Sequence, residues 1–374
     1  MNKNPEFAAF GGFRTIPPKA GGAGSDKFAF ELYPRIVKRG FSLTAFTRIY
    51  PDDTEKPLSE YAGIRLIPLK TVSKAGFDTL VHSVKATLKI LFNREIKYVH
   101  LHSGANSIWA LPLRLSGKKV VVTQFAMDWK RDKWPWYGKL FYLFSNLITA
   151  YVPNRVVFDN IFTKEYFEKK YKKRFNFIPY GSEVPKPSDN DLILKKYDLK
   201  KGSYFLFVGR FIPDKGIHLL VEAFSKLKTD KKLVLIGGSP NPDPYESKIR
   251  ETTDNRIIFT GFVYGDDTNS LIKNAYTYVQ PSLIEGLSPV ILTVMGLNTP
   301  LICSNIKENT FITKDNATTF QSGNANDLLL KLKWSLQNHD KMVEKAANGK
   351  LDISTRFSWE KVTDAYIKVF TKKR

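Results

Sequence analysis

Short apolar runs alternate along the whole chain with longer segments in which apolar residues recur every three or four positions. The short runs have the length and the β-branched or aromatic content of buried strands, and the longer segments have the period of helices. In the first half we predict strands at Phe7–Phe13, Phe41–Thr47, Ile64–Leu69, Tyr98–Leu101, Lys119–Thr123 and Asn154–Phe158. A strand and a helix that repeat about every 25–30 residues predict a parallel sheet covered on both faces.

The same alternation organises the second half, and its most informative part lies around a single carboxylate. Tyr276–Gln280 is a predicted strand, Pro281–Gly286 a turn and Leu287–Leu297 an apolar helix. The turn contains Glu285, which follows the carboxyl end of a strand, where open parallel sheets bind polar ligands. The amide groups at the start of the next helix would bind a phosphate there. The alternative is a buried strand–helix unit in which Glu285 only caps the helix.

A second motif, GRFIPDKG, follows the predicted strand Tyr204–Val208. Arg210 ends this strand, and Lys215 lies five residues further on, where the next helix begins. Because Arg offers a planar fork of donors and Lys a mobile point charge, the two cations can bind one diphosphate together. The alternative is two exposed basic residues on a loop. A weaker signal is the pair Gly21 and Gly22, which would let the backbone of another loop approach a diphosphate closely.

Length and composition limit the class of protein. The 374 residues, 43% of them hydrophobic, are enough for two domains of ordinary size. No apolar run approaches the roughly 20 residues that span a bilayer, and the first residues lack the apolar core of a signal peptide. The chain has one cysteine, Cys303, and no cluster of Cys and His with metal-ligand spacing. We therefore expect a cytoplasmic protein without disulfides or a metal site.

The formal net charge of +22 indicates an anionic partner. A nucleic acid, an anionic membrane surface and a phosphorylated substrate would each provide one, whereas AT-rich coding would explain the charge without any partner. The chain carries no nucleic-acid-binding motif, so we expect no nucleic acid. The basic run Lys169–Phe175 would suit an anionic lipid surface, or it is the solvated end of a helix.

The two motifs together resemble the donor-site signature of the retaining glycosyltransferases of family four, through GRFIPDKG and through Pro281, Ser282, Glu285, Gly286 and Pro289. The resemblance implies the α/β fold called GT-B, in which two Rossmann-like domains face each other across a cleft and the C-terminal helix crosses back to the first domain. It divides the chain into an acceptor-side domain at 1–181, a linker at 182–201, a nucleotide-sugar-binding domain at 202–357 and the returning helix at 358–374.

The resemblance implies transfer of a hexosyl group from a nucleotide-sugar to a hydroxyl of a glycan or a lipid-linked acceptor, with retention of anomeric configuration. Arg210 and Lys215 would hold the departing diphosphate, which could itself take the acceptor's proton, and Glu285 would bind the donor sugar or stabilise an oxocarbenium-like state. The nucleotide-sugar is a co-substrate, so no cofactor and no metal are expected. The donor site is predicted at Gly21, Gly22, Gly209, Val263, Gly286, Leu287, Ser288 and Thr293.

Two positions depart from the family pattern. Thr293 stands where the family has a second Glu, which usually contacts the ribose of the nucleotide. The segment DWKRDKW resembles the rhamnosyltransferase-like branch that builds cell-surface polysaccharide, so a rhamnosyl or other deoxyhexosyl group is a candidate. Phe125 stands where that branch often has an acidic residue or His, and His102 is a candidate replacement. Contacts to acceptor or sugar are predicted at His102, Asp128, Trp129, Lys130 and Arg131.

These departures leave a second function open, a catalytically weakened nucleotide- or sugar-binding protein of the same fold. An epimerase of this fold would need a set of acidic and His residues that the sequence does not place. The aromatic and basic side chains of the DWKRDKW region suit carbohydrate stacking or a lipid headgroup interface, or they pack on the following helix. Peripheral association with an anionic membrane surface is therefore an additional expectation.

Overall fold

The computed structural model describes residues 6–18, 24–74, 76–125, 135–182, 192–239 and 244–372. The chain forms two compact units. Unit 1 contains Met1–Gly181 together with Trp359–Arg374, and unit 2 contains Ser182–Ser358. Each unit is built around its own sheet.

Unit 1 is built on an eight-stranded sheet. Its strands are β1 (Glu6–Phe10), β2 (Leu43–Ile49), β3 (Glu60–Tyr61), β4 (Ile64–Lys70), β5 (Ile96–His102), β6 (Lys119–Gln124), β7 (Arg155–Phe158) and β8 (Asn176–Phe177). They lie in the order β3-β4-β2-β1-β5-β6-β7-β8, and every pairing is parallel except that of β3 with β4. The central strands are buried along most of their length because helices cover both faces of a parallel sheet.

The helices of unit 1 that precede unit 2 are α1 (Gly24–Lys38), α2 (Phe77–Leu91), α3 (Ala110–Leu115), α4 (Trp136–Tyr151) and α5 (Ile161–Tyr171). A 3₁₀ turn at Gly104–Trp109 directly precedes α3. The start of α5 follows the N-cap rule, since the Asn160 side chain accepts hydrogen bonds from two backbone amides of the first turn.

Three buried histidines distinguish unit 1. His100 contacts the Tyr33 hydroxyl and the Thr123 hydroxyl, at 3.1 and 2.7 Å, and His82 contacts the Phe46 carbonyl at 3.2 Å. Burial lowers the pKa of His82 and of His100 to about 3 and holds the pKa of His102 well below its ordinary value. These side chains are therefore neutral in the folded protein at neutral pH.

Unit 1 is accordingly expected to lose stability as the pH falls below about 6.5, the ordinary pKa of histidine. Below that pH the histidines are protonated in the unfolded chain, whereas in the folded chain His82 and His100 stay neutral down to about pH 3. Each such histidine can therefore lower the free energy of unfolding by roughly 1 kcal/mol per pH unit. Urea unfolding followed by tryptophan fluorescence would measure this, because Trp334 is the only tryptophan of unit 2. His100→Asn should give a smaller dependence on pH between 6.5 and 4, and an unchanged dependence would contradict the assignment.

Unit 2 is built on a six-stranded, fully parallel sheet. Its strands are β9 (Tyr204–Arg210), β10 (Lys232–Gly238), β11 (Ile257–Gly261), β12 (Thr277–Gln280), β13 (Leu301–Ser304) and β14 (Thr318–Phe320), in the order β11-β10-β9-β12-β13-β14. Its helices are α6 (Leu192–Lys196), α7 (Ile217–Ser225), α8 (Pro244–Arg250), α9 (Gly265–Lys273), α10 (Pro289–Gly296), α11 (Lys307–Thr313), α12 (Ala325–Gln337) and α13 (His339–Arg356). The predicted linker at 182–201 thus contains a short helix, α6.

The last helix, α14 (Trp359–Thr371), belongs to unit 1. Its buried side chains include Trp359, Val362, Tyr366 and Phe370, which share one helical face. The Trp359 ring packs against Gly181 so closely that a Cβ there would lie 2.2 Å from it. The α/β class, the two parallel sheets and the return of the last helix to the first unit are therefore confirmed.

Candidate functional site

The candidate site lies where the strand order of unit 2 changes direction. The chain goes from β9 outward through β10 to β11, and later from β12 outward through β13 to β14 on the other side. Strands β9 and β12 are therefore neighbours from which the chain continues to opposite sides of the sheet, and in open parallel sheets the crevice at the carboxyl ends of such a pair binds ligands. Arg210 is the last residue of β9, and Gln280 is the last residue of β12.

The loop after β9 places two cations at this crevice. Arg210 is exposed at the strand end. Phe211 is then fully buried, which fixes the loop to the core. A 3₁₀ turn at Pro213–Lys215 follows, and Gly216 in the left-handed region (φ 64°) joins it directly to α7. This turn points Lys215 back toward the strand ends instead of along the helix.

The loops after β9 and β12 are docked onto each other through their backbones. The carbonyl oxygen of Asp214 accepts hydrogen bonds from the amides of Leu283 and Ile284, at 2.8 and 3.2 Å. Gly216 lies so close to Pro281 that a Cβ at this glycine would be 2.2 Å from the Pro281 carbonyl oxygen. A side chain at residue 216 would therefore separate the two loops.

The docking brings Lys215 and Glu285 together across 70 residues of sequence. The Lys215 Nζ lies 2.5 Å from the Glu285 Oε1, and only 7% of the Glu285 side chain is exposed. The same oxygen accepts hydrogen bonds from Gln280 Nε2 at 2.7 Å and from Ser282 Oγ at 2.8 Å. Three donors on one oxygen hold the carboxylate in a single position beside the ammonium group.

A further layer of side chains orients these donors. The Tyr278 hydroxyl, whose pKa burial raises far above its usual value, lies 2.7 Å from the Gln280 Oε1. The Gln280 amide nitrogen therefore faces Ser282 and Glu285, and it also donates to the Ser282 Oγ at 2.8 Å. On the other side, the Ser304 hydroxyl donates to the Ser282 carbonyl oxygen at 2.5 Å. The sequence motifs alone indicated no role for Tyr278 or Gln280, and alternation along β12 is the one signal that pairs them on one face.

The residues whose amides are predicted to bind a phosphate lie just before α10. Ser288 is its N-cap residue and Pro289 its first residue, as is common at helix starts. A Cβ at Gly286 would meet nothing within 4 Å, so the backbone there borders open space, whereas Leu287 and Ser288 are buried. The Thr293 hydroxyl donates to the Pro289 carbonyl oxygen at 3.1 Å, within its own helix.

The remaining predicted donor residues of unit 2 lie at neighbouring strand ends. Gly209 faces Gly237 in the adjacent strand, and a Cβ at Gly237 would be 1.9 Å from the Gly209 carbonyl oxygen. Val263 follows β11 and accepts a hydrogen bond from the Thr268 hydroxyl through its carbonyl oxygen, at 2.7 Å. The half-exposed rings of Phe262 and Tyr264 on either side of it are parallel, with centroids 6.0 Å apart.

Of the residues of unit 1 that are predicted to contact the acceptor or the sugar, only His102 lies in the described part of the chain. His102 is completely buried beneath α1, where it is hydrogen-bonded to the Tyr33 hydroxyl and surrounded by aromatic rings, so it presents no surface to an acceptor. Its position at a strand end follows from the sequence, whereas the helix that covers it does not. Gly21, Gly22, Asp128, Trp129, Lys130 and Arg131 lie outside the described residues, so their roles stay predictions.

Within the described ranges, no group of three or more His, Cys, Asp or Glu side chains is placed to hold a metal ion. The groups that the structure brings to the unit 2 crevice are the two cations, the fixed carboxylate and the backbone amides. Together they can bind an anionic group such as a diphosphate and the hydroxyls of a sugar.

Comparison with known proteins agrees with this geometry. Residues 189–352 match the family model described as glycosyl transferases group 1. The O-antigen chain mannosyltransferase B of Escherichia coli is 28% identical over 184 residues, which are 48% of each chain. This chain spans about half the length of the first curated relatives that it matches. The O-antigen chain mannosyltransferase C of Escherichia coli is 23% identical over 373 residues, 96% of each chain.

Solved structures share the fold over nearly the entire chain. Sucrose-phosphate synthase from Thermosynechococcus elongatus superposes with a TM-score of 0.81, at 18% identity and with 98% of each chain covered. The Anabaena protein HepE in complex with UDP and glucose superposes with a TM-score of 0.78, at 14% identity, covering 97% of this chain and 98% of HepE. These neighbours confirm the predicted GT-B fold. Sequence identities this low support a conclusion about the fold only.

Proposed function

We propose that this chain, whose residues 189–352 form a group 1 glycosyltransferase module, transfers a hexosyl group from a nucleotide-sugar to a hydroxyl of a glycan or a lipid-linked acceptor. The observation that carries the proposal is the Lys215–Glu285 pair, fixed at the carboxyl ends of β9 and β12, where Arg210 also lies. One relative supports the acceptor class: it is a UDP-Gal:α-D-GlcNAc-diphosphoundecaprenol α-1,3-galactosyltransferase of Escherichia coli, 27% identical over 259 residues.

In the proposed reaction the bond between the anomeric carbon and the diphosphate breaks, and negative charge accumulates on the departing nucleoside diphosphate. Arg210 and Lys215 stabilise that charge. An ammonium group has three N–H donors, so Lys215 can keep its contact with Glu285 and still donate to phosphate oxygens. The backbone at Gly286 borders open space two residues before the N-cap of α10, and in the proposal its amide is a further donor to the phosphates.

Glu285 completes the proposed donor site. Its position is fixed by Gln280, Ser282 and Lys215, so it can bind sugar hydroxyls or stabilise positive charge at the anomeric carbon. We propose retention of configuration through a front-face mechanism, in which the acceptor oxygen bonds to the anomeric carbon and the leaving phosphate takes its proton. A rhamnosyl or other deoxyhexosyl donor is the narrower form of the proposal, and neither a cofactor nor a metal is part of it.

A thermal-shift panel tests the proposal, with UDP, GDP, TDP and their sugars as ligands. One nucleoside diphosphate should raise the melting temperature clearly, since a ligand at 100 times its Kd stabilises the fold by about 2.7 kcal/mol. Slow hydrolysis of the matching nucleotide-sugar should follow, and Arg210→Ala should abolish the shift while the free protein still unfolds in one cooperative transition. A panel without any shift would contradict the proposal.

A second candidate is a nucleotide- or sugar-binding protein with little turnover. The observation that favours it is Thr293, which replaces a carboxylate of the family pattern and whose hydroxyl is bonded to Pro289 within α10. The same experiment separates the two candidates, because a binding protein would give the thermal shift without hydrolysis or transfer to any acceptor.

A further inference from the structure

Helix α4 in unit 1 has its polar and apolar faces inverted relative to an ordinary surface helix. Its buried side chains are small or polar: Ser145, Asn146, Thr149 and Ala150. Its exposed side chains are large and apolar: Trp136, Tyr137, Leu140, Phe141, Leu143, Phe144, Leu147 and Tyr151, with exposed fractions from 39% to 77%. A surface helix of a globular protein normally has the opposite arrangement.

The inward face is held by hydrogen bonds that suit its polar residues. The Thr149 hydroxyl lies 2.6 Å from the Ser107 hydroxyl of the 3₁₀ turn and 2.8 Å from the Ser145 carbonyl oxygen. The Thr149 hydroxyl thus has a partner in another element of unit 1. Rotating α4 to bury its apolar side would break the Thr149–Ser107 bond and expose the buried small residues, so the outward direction of the apolar side is built into the fold.

The outward residues form one continuous stripe. Positions 136, 140, 144, 147 and 151 are separated by three or four residues and so lie along a single helical face. Scattered exposed apolar side chains are ordinary in soluble proteins, but a continuous patch of this kind marks an interaction site. We call this stripe and its flanking apolar residues the α4 face.

Basic residues border the α4 face at its C-terminal end. Lys169, Lys170, Lys172, Lys173 and Arg174, at the end of α5 and just after it, are all exposed. Lys173 ties the two regions together, because its Nζ lies 4.2 Å from the centre of the Tyr151 ring and donates to the Ala150 carbonyl oxygen at 3.2 Å. The face therefore combines apolar side chains with a cationic border.

We propose that the α4 face docks unit 1 onto an anionic lipid bilayer, with its apolar side chains in the boundary between headgroups and acyl chains and its basic border on the lipid phosphates. Aromatic and leucine side chains next to lysines are the composition of such interfacial helices. The cationic border favours this partner over a second copy of the chain, because it is complementary to lipid phosphates and has the same sign as the border of a second copy.

We propose that α4 lies on the surface of the bilayer and does not cross it. Among the helices that the structure describes, none combines the length and the apolar character needed to cross a membrane. The inference does not rest on the proposed transferase activity, because neither Lys215 nor any other residue of the unit 2 crevice takes part in the proposed contact with the bilayer. Membrane binding is therefore testable without a sugar donor or an acceptor.

Co-sedimentation of the full chain with vesicles tests the proposal. Binding is expected to vesicles of phosphatidylcholine and phosphatidylglycerol at low salt, and to weaken at high salt because exposed charges are screened. The double variant Leu140→Glu, Leu147→Glu should lose binding at least tenfold. Leu330→Glu, Leu351→Glu is the matched control, since it places the same charges at equally exposed leucines on two helices of unit 2. Its binding should equal that of the unchanged protein.

The basic border has a separate test. Lys169→Gln with Arg174→Gln removes two exposed charges and should weaken binding to the anionic vesicles by roughly 30-fold. Equal binding of the unchanged protein to vesicles of phosphatidylcholine alone would overturn the charge part of the proposal. A concentration-dependent dimer that Leu140→Glu, Leu147→Glu abolishes would overturn the choice of a bilayer.

A site-specific label reports the depth of insertion. The only cysteine, Cys303, is fully buried and burial raises its thiol pKa to about 12, so a cysteine introduced at an exposed position should react selectively. A polarity-sensitive fluorophore on Leu147→Cys should shift to the blue with anionic vesicles and be quenched by brominated lipid. The same fluorophore on Leu351→Cys should do neither. If the protein binds the vesicles but the fluorophore on Leu147→Cys shows no shift, a surface other than the α4 face contacts the membrane.

Discussion

Lys215→Ala is expected to lower kcat/KM for sugar transfer by roughly 10²–10³-fold, because it removes a cation aimed at the charge of the departing diphosphate. The ammonium group is well placed for this, since it is held by Glu285 at the carboxyl end of the sheet and only partly exposed. Turnover of the nucleotide-sugar identified by the thermal-shift panel, at saturating and at low donor concentration, would measure the loss.

The control for this variant is its stability. Removing Lys215 leaves the buried Glu285 carboxylate with Gln280 and Ser282 as its remaining donors in the described part of the chain, at an expected cost of about 1–3 kcal/mol. The double variant Lys215→Ala, Glu285→Gln removes the uncompensated charge and should recover most of that stability, but none of the activity. Activity that returned with stability would show that Lys215 acts only as a structural partner of Glu285.

The convergence of Lys215 and Glu285 could be anticipated in part. Each follows a predicted strand, and parallel strands place their carboxyl ends at one edge of a sheet. Their actual contact depends on β9 and β12 being neighbours, which the alternation of strands and helices does not specify. Without a strand order, the two motifs could have lain at opposite ends of that edge.

Other features depend on what covers a residue, which a periodic pattern does not reveal. His102 lies at a strand end, as a ligand-binding residue would, but Phe28 and Tyr33 of α1 cover it. The apolar side of α4 has helical periodicity that would serve equally well for a core helix. The hydrogen bond between Thr149 and Ser107, together with burial of the small side chains of α4, turns that side outward.

Gly216→Ala is the second substitution expected to have a large effect, and it tests the docking of the two loops rather than the chemistry of a side chain. An alanine at φ 64° is strained by about 1–2 kcal/mol, and its Cβ would lie 2.2 Å from the Pro281 carbonyl oxygen. That oxygen belongs to backbone, so relief requires the loops to separate. We expect a total loss of about 2–5 kcal/mol in the free energy of unfolding.

The matched control is Gly202→Ala, also in unit 2, where φ is 72° and a Cβ would meet nothing within 4 Å. It should show the backbone strain alone, about 1–2 kcal/mol. Gly216→Ala should in addition lose transfer activity at temperatures where it remains folded, because separating the loops moves Lys215 away from Glu285. Equal losses of stability in the two variants, with full activity in Gly216→Ala, would mean that the close approach of Gly216 to Pro281 is not what holds the catalytic pair together.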